Sequence, residues 1–106
     1  MNDALRPAQA GVAADVLALT GALSFETLPE VLEQSERYAM RDDIPDRLTI
    51  DFSAVTGVDS SAVALLLEWR RQAADRGKRL EYVNLPANLV ALAQLYGVAD
   101  LIQASA

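Results

Sequence analysis

The chain has 106 residues, with nine Lys and Arg, fifteen Asp and Glu, and a formal net charge of −6 at pH 7; its length favours a single domain with one hydrophobic core. It contains no cysteine and no histidine, which excludes disulfides, thiolate zinc sites and any catalytic triad that uses a histidine base. The acidic charge repels phosphate backbones and makes nucleic acid an unsuitable partner. Composition therefore favours a binding or scaffolding protein over an enzyme.

The N-terminal part predicts two strands that pair as a hairpin. We expect residues 1–7 to form a flexible N-terminus and residues 8–106 to form a single domain. Small apolar residues at 8–14 indicate a weak strand, and the apolar run at 16–20 indicates a stronger one. Gly21 is expected to end the second strand.

A helix and an acidic loop are predicted next. The helix starts between Ser24 and Thr27, because Ser24 is an N-cap residue type and Pro29 is tolerated only in a first turn. The loop at 40–47 then carries three carboxylates, Asp42, Asp43 and Asp46. Carboxylates bind hard cations, but this spacing matches no calcium loop. A solvated loop is the favoured interpretation, and no metal site is predicted.

The rest of the chain predicts three short strands and two helices. The strands are the apolar runs at 48–52, 80–83 and 101–102, and residues 53–59 form a turn around Gly57. A long helix runs from about Ser60 to a cap at Gly77, and another begins at Pro86 and ends at Gly97. The predicted order is β-β-α-β-α-β-α-β. Alternating strands and helices predict an α/β fold with a mixed, largely parallel sheet and helices packed on it.

The segment Asp59-Ser60-Ser61 lies where a strand gives way to the long helix. One interpretation is that one of these residues is an ordinary N-cap. The other is that a hydroxyl stands beside unpaired backbone N–H groups, where it accepts a phosphoryl group or a donor from a partner. Further along this helix, Trp69 lies beside the apolar stripe, so core packing is favoured over a role in an interface.

Four segments of the sequence together resemble a STAS domain. They are Leu17–Gly21, Asp51–Ser53, Val58–Ser60 and Leu92–Gly97. The resemblance runs from about Asp15 to Ile102 and is most specific at the strand–turn–Asp-Ser-Ser–helix segment. The STAS family includes the anti-sigma-factor antagonists and the B component of the Mla phospholipid-transport system. That system maintains lipid asymmetry. The resemblance therefore implies a STAS fold.

The resemblance leaves two branches of the family open. In the antagonists, a partner kinase phosphorylates the serine after the aspartate, which corresponds to Ser60 here. In the Mla component, a threonine usually fills that position and its surroundings bind the ATPase of an ABC transporter. The sequence at 64–67, the sequence at 92–97 and the short length favour the Mla branch. Against it, the pair Ser60-Ser61 is typical of the antagonists, and Ala62 stands where a glycine is often found.

The resemblance implies a partner-binding surface around Ser60. The predicted contact residues are Asp59, Ser60, Ser61, Ala62, Leu65 and Glu68. It also implies a non-catalytic protein without a cofactor, located in the cytoplasm and held at the inner membrane through its ATPase partner. The longest apolar run, 62–67, is too short to insert into a membrane. Leftover apolar side chains on the long helix are compatible with a homodimer as well as with a partner.

Overall fold

The computed structural model describes residues 5–7, 16–41 and 44–103. Within these ranges the chain forms four strands, which are β1 (Leu5–Pro7), β2 (Val16–Leu23), β3 (Arg47–Val58) and β4 (Arg79–Val83). The same ranges contain four helices, which are α1 (Leu28–Ala39), α2 (Ser60–Asp75), α3 (Ala87–Leu95) and α4 (Ala99–Gln103).

The strands form one sheet in the order β1-β2-β3-β4. Strand β1 is antiparallel to β2, whereas β2 is parallel to β3 and β3 is parallel to β4. Helices α1 and α2 make the crossovers between the parallel strands, as parallel connections require. The predicted α/β class with a mixed, largely parallel sheet is confirmed.

The first strand is formed by other residues than predicted. Leu5–Pro7 pairs with β2, with Leu5 opposite Leu19, although these residues were expected to belong to a flexible N-terminus. The stretch 8–14, which was predicted to be this strand, lies outside the described residues. The antiparallel pairing of the first two strands is as predicted, but it uses a segment closer to the start of the chain.

Strands β2 and β3 continue beyond their predicted ends. Gly21 does not end β2, because its φ of +87° accommodates an irregularity in the pairing with β3 and the strand runs on to Leu23. Residues 53–58 likewise form no turn, and Gly57 pairs with Ala22 instead. The prediction of a turn at 53–59 was therefore wrong, because residues 53–58 continue β3 and Asp59 is the extended N-cap residue of α2. The extension brings the end of β3 directly to the start of α2.

Helix α1 begins at Leu28, one residue after the predicted range. Residues 24–27 form a turn, in which the Ser24 carbonyl accepts from the amides of Thr27 (3.1 Å) and Leu28 (2.8 Å). Thr27, rather than Ser24, is the N-cap residue. Its hydroxyl donates to the Ala22 carbonyl at 2.8 Å, which ties the turn to the end of β2.

The predicted last strand at 101–102 is a helix in the structure. Residues 99–103 form α4, in which the amides of Leu101 and Ile102 reach the Val98 carbonyl. Ile102 is fully buried and Leu101 is 58% exposed. A run of two apolar residues fits a strand and a short helix equally well, and burial of Ile102 in the core decides between them.

The core lies between the helices and one face of the sheet. Alternate strand residues are buried on that face, as expected for a sheet covered on one side; they include Leu17, Leu19, Leu48, Ile50, Phe52 and Leu80. The helices contribute the other large buried side chains, which include Val31, Leu66, Trp69, Leu89 and Ile102. Burial of Trp69 agrees with the prediction that it packs in the core.

A glycine ends each of the helices α2 and α3. Gly77 follows α2 with φ +69° and Gly97 follows α3 with φ +74°. In both cases the glycine amide and the next amide donate to carbonyls of the last helical turn. In α2, the Gly77 amide donates to the Ala74 carbonyl and the Lys78 amide donates to the Ala73 carbonyl. This is the Schellman arrangement, which requires a left-handed residue. Both predicted helix ends are confirmed.

Candidate functional site

The amino end of α2 lies at the edge where the parallel strands end. Strands β2 and β3 are parallel, so their carboxyl ends meet at one edge of the sheet. The amide of Asp59 donates to the Leu23 carbonyl at 3.2 Å, which places the turn after β2 next to the start of α2. Ligands of open parallel sheets usually bind at this edge.

Asp59 is the N-cap of α2. Its Oδ1 accepts from the Ser61 amide at 2.9 Å and from the Ser61 hydroxyl, and its Oδ2 accepts from the Phe25 amide at 3.0 Å. The Ser61 hydroxyl, followed by the Phe25 amide, lowers the pKa of the Asp59 carboxyl below its ordinary value. The capping interpretation of this segment therefore applies to Asp59, which is ionised and fully engaged in hydrogen bonds.

The two serines after the cap differ in access. Ser61 is 5% exposed and its hydroxyl is bound to Asp59. Ser60 is the first residue of α2, is partly exposed, and its hydroxyl has no hydrogen-bond partner within the described part of the chain. It lies in the first turn of α2, where the Ser61 amide is bound to Asp59 Oδ1 and the Ala62 amide to the Asp59 carbonyl. Ser60 thus carries the more accessible of the two hydroxyls at this site.

Two predicted contact residues lie in the core instead of on the surface. Ala62 is fully buried and Leu65 is 2% exposed. Together with Leu66 and Trp69 they form the face of α2 that packs on the sheet, at the i, i+3, i+4, i+7 spacing of a buried helical stripe. With the buried Ser61, they support the site from beneath, and a partner does not reach them in this conformation.

Glu68 lies on the outer side of α2. It accepts from Arg71 at 2.6 Å and 3.0 Å and from Gln72 at 3.0 Å, and the Arg71 contact lowers the pKa of its carboxyl. Ser60, Ala64 and Glu68 are spaced four residues apart, so they follow one another along one side of the helix. Ala64 is exposed, and this side of the helix is accessible.

Phe25 belongs to the site but was not predicted. It is 70% exposed, and its amide is the donor that Asp59 Oδ2 accepts. A signal for it existed in the sequence, because parallel strands end at the same edge and the residues just after both strands must therefore be neighbours. We call the group of Phe25, Ser60, Ala64 and Glu68 the docking surface, a name for a candidate site.

Comparison with known proteins agrees with the fold. The family model described as "Mlab, STAS domain" matches residues 8–103. The chain belongs to the STAS-domain family. It is similar to the structure of the anti-sigma factor antagonist SpoIIAA in its unphosphorylated form, with a TM-score of 0.70 and 18% identity over 97% of this chain and 88% of that chain. No curated protein matches the sequence.

The acidic loop predicted at 40–47 is described only in part. Asp42 and Asp43 of the acidic loop lie outside the described residues, and Asp46 binds Lys78 at 3.1 Å. Among the described residues no group of three or more acidic side chains could hold a metal ion.

Within the described part of the chain, none of the helices has the length and apolar character needed to cross a membrane.

Proposed function

We propose that this STAS domain is a non-catalytic subunit that binds and regulates the ATPase of an Mla-type ABC phospholipid transporter at the cytoplasmic face of the inner membrane. The observation that carries the proposal is the docking surface, where the Ser60 hydroxyl, which has no hydrogen-bond partner among the described residues, and the exposed Phe25 ring both lie next to the Asp59 cap. The family match to a model described as "Mlab, STAS domain" supports this class of partner over others.

The composition of the docking surface suits protein recognition. Phe25 is 70% exposed, and large aromatic side chains are enriched among the residues that dominate binding energy. The Phe25 amide is held by Asp59, which itself caps α2. The hydrogen bond orders the backbone at Phe25 before association, and that lowers the backbone part of the entropic cost of binding.

The chemistry of the site supports a non-catalytic role. General bases work best when their pKa lies near the operating pH. The carboxylate next to Ser60 is Asp59, whose pKa is lowered by its hydrogen bonds with Ser61 and Phe25. It is therefore a weak base, and it is oriented toward the cap rather than toward the Ser60 hydroxyl. This arrangement binds a partner more readily than it activates a nucleophile.

A second candidate function is an anti-sigma-factor antagonist switched by phosphorylation at Ser60. Two observations favour it, namely that the Ser60 hydroxyl has no hydrogen-bond partner among the described residues and that the fold is like that of SpoIIAA. A phosphate adds about −1.5 to −2 charges at neutral pH. The amino end of α2 stabilises that charge through its dipole, and the neighbouring Asp59 carboxylate opposes it. The partner in this case is an anti-sigma kinase.

Affinity purification from the native host distinguishes the two functions. The tagged chain is captured, its partners are identified by mass spectrometry, and its own intact mass is measured. We expect a near-stoichiometric ABC ATPase and an unmodified chain. Capture of a kinase, together with an added mass of about 80 Da on Ser60 in the wild type and none in Ser60→Ala, overturns the transporter proposal and establishes the switch.

A further inference from the structure

Helix α3 contains no charged side chain. No Asp, Glu, Lys or Arg occurs between Glu81 and Asp100, although charged residues make up 23% of the chain. Within α3 itself only Asn88 and Gln94 are polar. A helix at the surface of a protein normally carries a polar face, whereas a helix that is apolar all round is usually buried. The composition of α3 is therefore that of a helix with neighbours on all sides.

The described part of the chain covers α3 on one side only. Leu89 and Ala93 are fully buried in the core. Ala91 is two residues away from both, which places it about half a turn around the helix axis, and it is exposed. Ala87 and Leu95 are exposed as well, and their spacing of four residues from Ala91 aligns all three along the outer side of α3. This outer side is apolar and open.

Large apolar side chains are exposed where α3 turns into α4. Leu95 is 76% exposed, Tyr96 53% and Leu101 58%. At about 150–250 Å² for each large side chain, these three expose roughly 300–450 Å². A standard interface buries about 800 Å² of each partner, and somewhat more than half of that is apolar. The exposed apolar area is therefore close to what one side of such an interface contains. We call the group of Ala87, Ala91, Leu95, Tyr96 and Leu101 the α3 surface.

The charge distribution favours a second copy of this chain as the occupant of the α3 surface. The chain has a net charge of −6, so two copies repel each other where their charged surfaces meet. The α3 surface contains no charge and avoids this repulsion. A two-fold interface uses the same patch on both copies, so the patch must be complementary to itself. An uncharged apolar patch meets this requirement, whereas a charged partner would lose hydration here without finding a counter-charge.

We propose that this chain forms a two-fold symmetric homodimer through the α3 surface. The two α3 helices cross antiparallel with Ala91 at the axis, so that Leu95 of each copy packs beside Ala87 of the other. Alanines at the crossing point allow the two helix axes to approach to about 8 Å. None of the residues of the docking surface belongs to α3 or α4. The dimer and the proposed ATPase contact are therefore tested by separate variants, and failure of one leaves the other standing.

Sedimentation equilibrium of the purified full chain tests the dimer. The chain is measured from about 5 to 500 µM, because interfaces of this size extend to micromolar dissociation constants, and we expect a monomer–dimer equilibrium. Leu95→Glu should raise the dissociation constant by at least about 30-fold, because the two-fold axis places the change in both copies. Met40→Glu is the matched control. It adds the same charge at a residue that is 80% exposed just after α1, and it should leave the dissociation constant unchanged.

Cross-linking tests the antiparallel arrangement. The chain has no cysteine, so Ala91→Cys introduces a single thiol at the proposed axis, where it meets its copy. A disulfide requires Cα atoms about 4.4–6.8 Å apart, which is within reach at this position only. Mild oxidation should convert Ala91→Cys into a covalent dimer much faster than it converts the control Met40→Cys.

Salt tests the uncharged character of the interface. Raising the salt concentration from about 0.05 to 0.5 M should maintain or strengthen the dimer, because salt screens the repulsion between two acidic copies. A chain that stays monomeric over the whole concentration range overturns the proposal, and so does its binding to phosphatidylglycerol vesicles as a monomer, which would assign the α3 surface to a membrane. Dissociation by salt, equal dimerisation of Met40→Glu and a Leu95→Glu variant that circular dichroism shows to be folded, or equal cross-linking of the two cysteine variants overturns it as well.

Discussion

The Phe25 amide donates to Asp59 Oδ2 at 3.0 Å across 34 residues of sequence. The other oxygen of the same carboxylate caps α2 through the Ser61 amide at 2.9 Å. One side chain therefore fixes both the turn that carries the exposed Phe25 ring and the helix that begins with Ser60. The docking surface depends on this carboxylate although a partner need not touch it.

The first prediction concerns the cap. Asp59→Ala removes the acceptor for the Ser61 and Phe25 amides, so it should lower the urea midpoint of unfolding and increase hydrogen exchange at both amides. Ser60→Ala is the matched control, since the Ser60 hydroxyl has no partner within the described residues, and it should leave both measurements unchanged. Equal midpoints for the two variants would show that Asp59 does not stabilise the cap.

The second prediction concerns pH. The pKa of Asp51 is lowered by a hydrogen bond from Asn84 and, to a smaller extent, by one from Ser53. Hydrogen bonds from Ser61 and Phe25 lower the pKa of Asp59 in the same way. A carboxyl whose pKa is lower in the folded state stabilises the fold above its unfolded pKa of about 3.9, and this contribution is lost as the pH falls through the folded pKa.

The double variant Asp51→Asn/Asp59→Asn tests this linkage. The difference in the free energy of unfolding between the wild type and the double variant should be constant above about pH 5 and shrink below about pH 4. Urea titrations from pH 7 down to pH 2.5 measure it. A difference that does not change over this interval contradicts the assigned hydrogen bonds.

The third prediction concerns the end of α2. Gly77 has φ +69°, and a side chain in that left-handed conformation costs about 1–2 kcal/mol. Gly77→Ala should therefore destabilise the fold by this amount. Gly57→Ala is the control, because Gly57 lies in β3 without a positive φ and with open space around it. It should change the free energy of unfolding by less than about 0.5 kcal/mol.

The fourth prediction concerns the link between β4 and α2. The Tyr82 hydroxyl donates to the Leu66 carbonyl at 2.6 Å, and burial raises the pKa of Tyr82 above its ordinary value, which keeps the donor protonated. Tyr82→Phe should reduce the free energy of unfolding by about 0.5–1.5 kcal/mol. The control Tyr96→Phe alters a ring that is 53% exposed and should have no measurable effect in the same denaturant titration.

The sequence predicts the architecture because its turn and cap residues agree with its apolar pattern. Gly77 and Gly97 mark the ends of α2 and α3 correctly, since both adopt the left-handed conformation that glycine favours. Gly21 carries the same signal but sits inside a strand. A positive φ is compatible with a bulge as well as with a chain reversal, so the residue type alone does not distinguish them.

The orientation of α2 is harder to predict. Residues 62–67 form an unbroken apolar run, so hydrophobic periodicity gives no unique buried face at the start of this helix. Ala62 and Leu65 were assigned to the partner-binding surface from the family resemblance, whereas both belong to the core. Ser60 was placed correctly because its position follows from the strand-to-helix junction, which does not depend on helical phase.

Phe25 was missed for a different reason. Its role depends on a contact between segments that lie 34 residues apart, and the turn around it has no distinctive pattern. Only the parallel pairing of β2 and β3 makes the two segments neighbours. The candidate site could thus be predicted where it is local in sequence, whereas the Phe25 contact follows only once β2 and β3 are paired in parallel.

The most direct test of the account measures binding between the purified chain and the purified transporter ATPase by calorimetry. Ser60→Arg places a large cation at the centre of the docking surface, and Met40→Arg introduces the same side chain at a residue that is 80% exposed just after α1. We predict that Ser60→Arg weakens binding by about tenfold or more while Met40→Arg leaves it unchanged. Wild-type affinity for Ser60→Arg would contradict the assignment of this surface as the docking site.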